Sequence, residues 1–162
     1  PRSLGRRAVG KNFGFIAAAL GALALAGAAQ AAPFEAVSFK KGQSALVYDL
    51  GSVKRTGVDA SAWVYLIVAH PMDGATMVAT YRDFSCGMGR TRDGARRFVG
   101  PDGQTLRAVE TPGEWQDVSP GADSFDLLMK VCEGRPTRIS GQKMSVFDFQ
   151  TVVREALVGG AR

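Results

Sequence analysis

Stretches rich in β-branched and aromatic residues alternate with short turn signals through residues 44–110, and this alternation limits the possible folds more than any other feature. We predict strands in SALVYDL (44–50), SAWVYLIVA (61–69) and TMVATYRDFSC (76–86). The second stretch is a near-continuous apolar run, which is typical of a central strand that is buried on both faces. Consecutive strands with short connections favour an antiparallel meander of five or six strands.

Turn residues mark the connections between these strands. GSVKRTG (51–57) predicts a simple connection, and HPMDGA (70–75) predicts a turn because it contains proline and glycine. GPDGQT (100–105) is a hairpin signal that pairs RRFV with TLRAVE as antiparallel neighbours. The polar segment 32–43 has no clear period, so we expect an irregular lead-in to the domain.

A helix is predicted after the strands, in SPGADSFDLLMKVCEG (119–134). Ser119 can cap this helix with Pro120 in the first turn, and Gly134 can end it. Four residues recur at helical spacing and are expected to face the sheet: Phe125, Leu128, Met129 and Cys132. The fold class that follows is α+β, with a helix packed on one face of the antiparallel sheet.

A second helix is predicted at 145–157, within a C-terminal tail that covers 136–162. Its apolar residues at helical spacing are Phe149, Val152, Val153 and Ala156. This pattern predicts the face with which the second helix packs.

The first 31 residues have the pattern of a secretory signal peptide. Basic residues precede an apolar run at 13–29, and the small residues Ala29 and Ala31 occupy the positions that a signal peptidase recognises. The alternative is a membrane anchor, but the run is rich in Ala and Gly and shorter than the roughly 20 apolar residues of a spanning helix. We therefore expect a mature chain that begins near Ala32, with no cysteine at that site to carry a lipid.

Export changes the interpretation of the charge. Four of the 20 Lys and Arg residues precede Ala32 and none of the 15 Asp and Glu residues does, which leaves a mature net charge of +1. The basic balance thus belongs to the export signal and does not indicate a nucleic-acid partner. An exported domain folds in an oxidising compartment, the periplasm or the cell surface, where its two cysteines admit a single pairing.

Four segments resemble, in order and spacing, the surface-adhesin protein E-like family of bacterial exported domains. They are VYDLGSVKRTGVDASAWV, YRDFSC, RRFVGPDGQTL and GEWQDVSPGADSFDLLMKVC, and the domain that they define covers 44–135. The resemblance implies an antiparallel sheet with a helix held on its concave face by a disulfide, here Cys86–Cys132. It also implies adhesion to host or surface macromolecules, often as a dimer. A reactive or metal-binding cysteine pair is the alternative.

Arg90, Arg92, Arg96 and Arg97 form the densest basic cluster of the predicted mature chain. Alternation along a strand would send Arg90, Arg92 and Arg96 to one face and make a patch for a phosphate, a glycan or an acidic protein surface. The alternative interpretation is a solvated edge, where arginine discourages strand-to-strand aggregation.

Residues suited to catalysis are few. His70 is the only histidine and is expected in the turn at 70–75, although a catalytic or ligand role is the alternative. The aspartates are scattered and no phosphate-binding glycine loop is present. We predict no catalytic residue, no metal and no cofactor. Six aromatic residues are interpreted as core, with a ligand platform as the alternative: Trp63, Tyr65, Tyr81, Phe84, Phe98 and Trp115.

The function predicted from the sequence is that of a non-catalytic exported cell-envelope protein that acts as a binding or adhesion module. Two alternatives stay open. One is a structural periplasmic protein, and the other is a small periplasmic hydrolase.

Overall fold

The computed structural model describes residues 34–134 and 144–159. Eight strands form one sheet: β1 Phe34–Lys40, β2 Ser44–Asp49, β3 Lys54–Thr56, β4 Asp59–Met72, β5 Ala75–Ser85, β6 Arg90–Val99, β7 Thr105–Val109 and β8 Gln116–Asp117. Two helices follow, α1 Asp123–Glu133 and α2 Val146–Val158, and a 3-10 turn spans Leu50–Ser52. The α+β class and the antiparallel sheet are confirmed.

The sheet is six strands wide, in the order β1-β2-β4-β5-β6-β7, and every described pairing is antiparallel. The short strands β3 and β8 add to the sides of β4 and β6, which raises the number of strands to eight. The expected count of five or six was therefore too low. The predicted hairpin is confirmed, because β6 pairs with β7 across residues 100–104.

Two expectations about connections are wrong. Residues 34–40 are the edge strand β1 rather than an irregular lead-in. The register with β2 shifts between Ala36 and Ser38, and this bulge breaks the alternation by which a strand is recognised in a sequence. Likewise, 51–57 contains β3. The turn predicted at 70–75 is shorter than expected: β4 continues to Met72, and the chain reverses at Asp73 and Gly74, both with positive φ.

The central strand β4 carries buried side chains on both faces, as predicted. Residues opposite one another across antiparallel strands share a face, so the register defines two apolar surfaces. The first, called the α1 face, includes Ala60, Ala62, Val64 and Phe84, and packs against α1. The second, called the α2 face, includes Tyr65, Ile67, Met77 and Ala79, and packs against α2.

The first helix starts later than predicted and presents a different face. Ala122 is its N-cap, without a side-chain hydrogen bond, so the predicted cap at Ser119 is wrong. Gly134 ends the helix in the left-handed conformation, as expected. The buried residues are Leu127, Leu128 and Val131, whereas Met129 is exposed. The buried stripe of α1 is therefore rotated relative to the predicted one. Cys132 lies half-buried at the margin of this stripe, because from there it reaches Cys86.

A disulfide joins Cys86, just after β5, to Cys132 in α1, with 5.7 Å between the Cα atoms. The pairing that the resemblance implied is confirmed. Arg55 in β3 adds two hydrogen bonds at the C-terminus of the helix, to the Cys132 carbonyl at 2.8 Å and the Val131 carbonyl at 2.6 Å. These donors satisfy carbonyls that have no partner within the helix.

Ion pairs fasten α1 to the edge strand β1. Lys130 Nζ lies 2.5 Å from Glu35 Oε1, and the buried Tyr48 hydroxyl donates to Glu35 Oε2 at 2.8 Å. At the other end of the helix, Lys40 Nζ donates to Asp123 Oδ2 at 2.8 Å. Polar contacts thus hold both ends of α1.

The second helix lies within one residue of its predicted bounds, and Ser145 caps it by accepting a hydrogen bond from the Asp148 amide at 3.1 Å. The residues it turns inward are Val146, Phe149, Gln150, Val153 and Leu157. Phe149 and Val153 were predicted on this face. Val152 and Ala156 are exposed instead, because the stripe follows Val146 and Leu157.

Neither helix in residues 34–134 and 144–159 combines the length and the hydropathy needed to span a membrane.

Candidate functional site

A bulge in β6 divides the predicted arginine patch between the two faces of the sheet. Thr80 pairs with Arg96 and Arg82 pairs with Asp93, so the single residue Tyr81 lies opposite two residues of β6. Gly94 makes this possible, because a Cβ there would lie 2.8 Å from the Tyr81 carbonyl oxygen. The expectation that Arg90, Arg92 and Arg96 share a face is therefore wrong.

Arg90 and Arg92 lie on the α2 face, and each has a carboxylate partner. Arg90 Nε is 2.8 Å from Asp117 Oδ1, and Arg92 Nη2 is 2.7 Å from Asp83 Oδ2. The Arg92 guanidinium also lies 4.8 Å from the centre of the Trp115 ring. Their charges are balanced within the protein, so these two arginines hold the end of the sheet together.

Arg96 lies on the α1 face, beside the ion pair of Arg82 and Asp93, whose atoms are 2.7 Å apart. Its Nε is buried and has no hydrogen-bond partner among the described residues. Two further carboxylates line the same recess, those of Glu114 and Asp117. The mixed charge around Arg96 makes this recess a poor anion site.

Arg97 differs from the other three. It lies on the α2 face and is exposed, and no carboxylate in the described part of the chain forms an ion pair with it. Its guanidinium lies 5.6 Å from the centre of the Trp63 ring, within the range of a cation–π contact. The Trp63 ring packs edge-on against Tyr81, with the ring centres 5.4 Å apart. Arg97 is thus an uncompensated cation held on an aromatic surface.

A cavity of about 250 Å³ lies next to Arg97, between α2 and the sheet. Its wall on the sheet side is mainly apolar and consists of Trp63, Tyr65, Met77, Ala79 and Val99. Val146 and Phe147 form its wall on the helix side, and Arg97 and Thr105 add polar groups. Phe147 is 43% exposed. The α2 helix therefore covers the cavity while leaving a large aromatic side chain in contact with solvent.

Gln150 also lines the cavity and is 1% exposed. Its Nε2 donates to Thr76 Oγ1 at 2.6 Å and to the Gly100 carbonyl at 3.3 Å. Its Oε1 has no hydrogen-bond partner among the described residues, which is costly for a buried polar atom. Gln150 was not predicted as a site residue, although its place between Val146 and Val153 at helical spacing indicates an inward position.

Tyr65 forms part of the cavity floor in its neutral form. Burial first, and then the negative charge of Asp49, raises the pKa of Tyr65 above its ordinary value. The pKa of Asp49 is itself raised by burial, against the hydrogen bonds that its carboxylate accepts from the Gly51 and Ser52 backbone. Tyr65 is therefore uncharged at neutral pH.

The residues considered for catalysis do not come together. His70 is exposed near the end of β4, away from the cavity lining. Both cysteines are joined in the disulfide. Within residues 34–134 and 144–159, no three His, Cys, Asp or Glu side chains lie close enough to hold a metal ion. Of the six aromatic residues, Trp63 and Tyr65 line the cavity, whereas Phe84 is in the α1 core.

Fold and site together describe a disulfide-stapled α+β domain in which Arg97, without an ion-pair partner among the described residues, lies beside a small and mainly apolar cavity. No protein-family model, curated protein or solved structure matches the chain.

Proposed function

We propose that the chain is an exported, non-catalytic binding domain of the cell envelope that holds an anionic ligand at Arg97. The observation that carries this proposal is the difference among the four arginines: Arg90 and Arg92 are paired with carboxylates, and Arg96 lies on the opposite face. Arg97 alone in this cluster presents an exposed cation on an aromatic ring beside a cavity. Guanidinium groups of this kind recognise carboxylate, phosphate and sulfate groups.

Export is supported by two independent features. The Cys86–Cys132 disulfide is suited to an oxidising compartment, and residues 1–31 have the pattern of a signal peptide. A binding or adhesion role is supported by the resemblance of four segments to surface-adhesin protein E-like domains. A structural envelope protein is the rival function, and it would need no ligand at Arg97.

Retention on immobilised heparin, a sulfated polysaccharide, tests the anion-binding part. We expect the full chain to be retained at low salt, because exposed charge contacts are strong until salt screens them. Arg97→Ala lacks one of these contacts and should elute at a clearly lower salt concentration than the parent chain. Arg96→Ala is the matched control, since it removes the neighbouring arginine from the opposite face. Equal elution of the two variants would contradict a site at Arg97 and favour the structural function.

Protease treatment of intact cells tests the location. A tagged full chain that is oxidised at Cys86–Cys132 and cleaved by external protease is at the surface. One that is oxidised but cleaved only after the outer membrane is opened is periplasmic. Both outcomes agree with export, whereas a chain recovered with free thiols contradicts it.

A further inference from the structure

We propose that the cavity beside Arg97 binds the alkyl chain of a free amphipathic carboxylate, with the chain between α2 and the sheet and the carboxylate on Arg97. This inference rests on the proposed function and narrows its ligand to one chemical class, a medium-length fatty carboxylate. It follows from three features of the site: the lining, the placement of charge, and the size and shape of the cleft beside α2.

The lining selects an apolar group. Side chains of Met77, Ala79 and Val99 form the sheet side of the cavity, and Val146 and Phe147 form the helix side. Transfer of CH₂ groups from water into such surroundings is favourable. Ligand pockets generally have volumes of about 300–1,000 Å³. The present cavity, at about 250 Å³, is better suited to a single chain than to a bulky ring system.

The charge selects the end group. Arg97 is part of the cavity lining. Among residues 34–134 and 144–159, no carboxylate forms an ion pair with Arg97, and no Asp, Glu or Lys side chain lines the cavity. An alkyl chain inside the cavity thus places its head group next to one positive charge. A carboxylate there forms a charge-assisted hydrogen bond, and a neutral head group does not.

The size and shape of the site favour a free molecule over a membrane. The cavity is a partly open cleft of about 250 Å³ between the first turns of α2 and the sheet, which suits one alkyl chain better than the flat surface of a bilayer. The α2 helix is held mainly by apolar contacts, which include the stacking of Phe149 on Phe34 with ring centres 4.4 Å apart.

Fluorescence of Trp63 provides the test, because the chain has two tryptophans and Trp115 lies outside the cavity. In the full chain with Trp115→Phe, decanoate is titrated against decanol and butyrate. We expect saturable binding of decanoate, weaker binding of decanol and none of butyrate. Arg97→Ala should weaken decanoate binding about tenfold and leave decanol binding unchanged, since a hydrogen bond to a charged group is lost.

Two variants of the cavity lining test binding of the alkyl chain without changing the charge of the site. Ala79→Leu fills the floor of the cavity and should abolish binding of both decanoate and decanol. Phe147→Ala removes an exposed part of the helix wall and should weaken both ligands without loss of folding, because its ring is 43% exposed. Arg96→Ala, on the other face, should match the parent chain. Thermal unfolding of each variant separates loss of binding from loss of the fold.

The outcomes distinguish this inference from the proposed function. If Arg97→Ala reduces heparin retention but decanoate does not bind the parent chain, the inference is overturned and the anion site stands. If Arg97→Ala changes neither heparin retention nor decanoate binding, both are overturned. Equal affinity for decanoate and decanol, or binding only to anionic phospholipid vesicles and not to monomeric decanoate, also overturns the inference.

Discussion

The two helices lie on opposite faces of one sheet and are held in different ways. Contacts of α1 with the sheet are covalent and ionic as well as apolar: the disulfide, Arg55 at its C-terminus, and Glu35 and Asp123 paired with lysines. Contacts of α2 are mainly apolar. Among the described residues, its polar contacts include the hydrogen bonds of Gln150 and one from the Gly42 amide, in the β1–β2 turn, to the Leu157 carbonyl. The helix without a covalent link to the sheet is the one that lines the cavity. In this domain, therefore, α1 is cross-linked to the sheet, whereas α2 packs into the core and also forms one wall of the candidate site.

The largest expected effect concerns the covalent bond of α1. Cys132→Ser opens a cross-link between residues separated by 46 positions, and loop entropy gives a loss of about 4 kcal/mol in the free energy of unfolding. Urea denaturation measures this loss. Cys86→Ser should give the same value, and the double variant should lose no more than either single variant. Unchanged stability in Cys132→Ser would mean that the polar and apolar contacts hold α1 without the cross-link.

The next effect concerns the apolar contacts of α2. Leu157 is 1% exposed, so Leu157→Ala removes buried apolar surface and leaves a cavity, which costs about 3 kcal/mol. Val158→Ala is the matched control, because Val158 is 56% exposed in the same turn. Urea denaturation is again the measurement. A loss no larger than that of Val158→Ala would show that α2 does not contribute to the stability of the fold.

A smaller effect is expected at the C-terminus of α1. Arg55→Ala removes both hydrogen bonds to the Val131 and Cys132 carbonyls. The expected loss in the free energy of unfolding is only about 1 kcal/mol, because water can then donate to these carbonyls. Lys54→Ala, in the same exposed strand, is the control. The free energy of unfolding, measured for the oxidised and the reduced protein, compares the contribution of Arg55 with that of the disulfide. The Arg55 effect should be larger in the reduced protein, where no disulfide holds the helix end.

The smallest effect is a pH dependence at the N-terminus of α1. Hydrogen bonds from Lys40 and then Ser38 lower the pKa of Asp123 below its usual value. A carboxyl whose pKa is lower in the folded state contributes stability above its unfolded pKa, and this stability is lost as the pH falls through the folded pKa. Stability measured between pH 6 and pH 2 should therefore fall less in Asp123→Asn. Asp126→Asn, in the same helical turn, is the control, and an equal change in both variants would contradict the assignment.

Much of the sheet could be predicted from the sequence, because alternation of apolar and polar residues and the turn residues are signals between near neighbours in the chain. Strands β2, β4, β5 and β7 lie close to their predicted positions for this reason. The edge strand β1 was missed because its stability comes from β2 and from the Glu35–Lys130 pair, which joins residues 95 positions apart. A contact across that distance leaves no period in the local sequence.

The buried faces of the helices also depend on contacts between distant parts of the sequence. Their existence and approximate bounds could be predicted from spacing, yet each helix has apolar residues on more than one side. Which side is buried depends on long-range partners: Cys86 places Cys132 at the margin of the α1 stripe, and the sheet surface selects Leu157 over Val152. The cavity could not be predicted for the same reason, since its two walls come from β4, β5 and β6 on one side and α2 on the other.

The bulge at Gly94 has a consequence for how a binding surface of this kind is recognised in other chains. On the two sides of the bulge, residue numbers of equal parity lie on opposite faces, so that counting by twos along β6 leads from Arg92 to Arg96 and misses Arg97. A useful search pattern is therefore a glycine followed at the second and third positions by two arginines, in which only the later one faces the cavity. A substitution at Gly94 that shifted the strand by one residue would exchange the two arginines and alter ligand binding from a position outside the cavity lining.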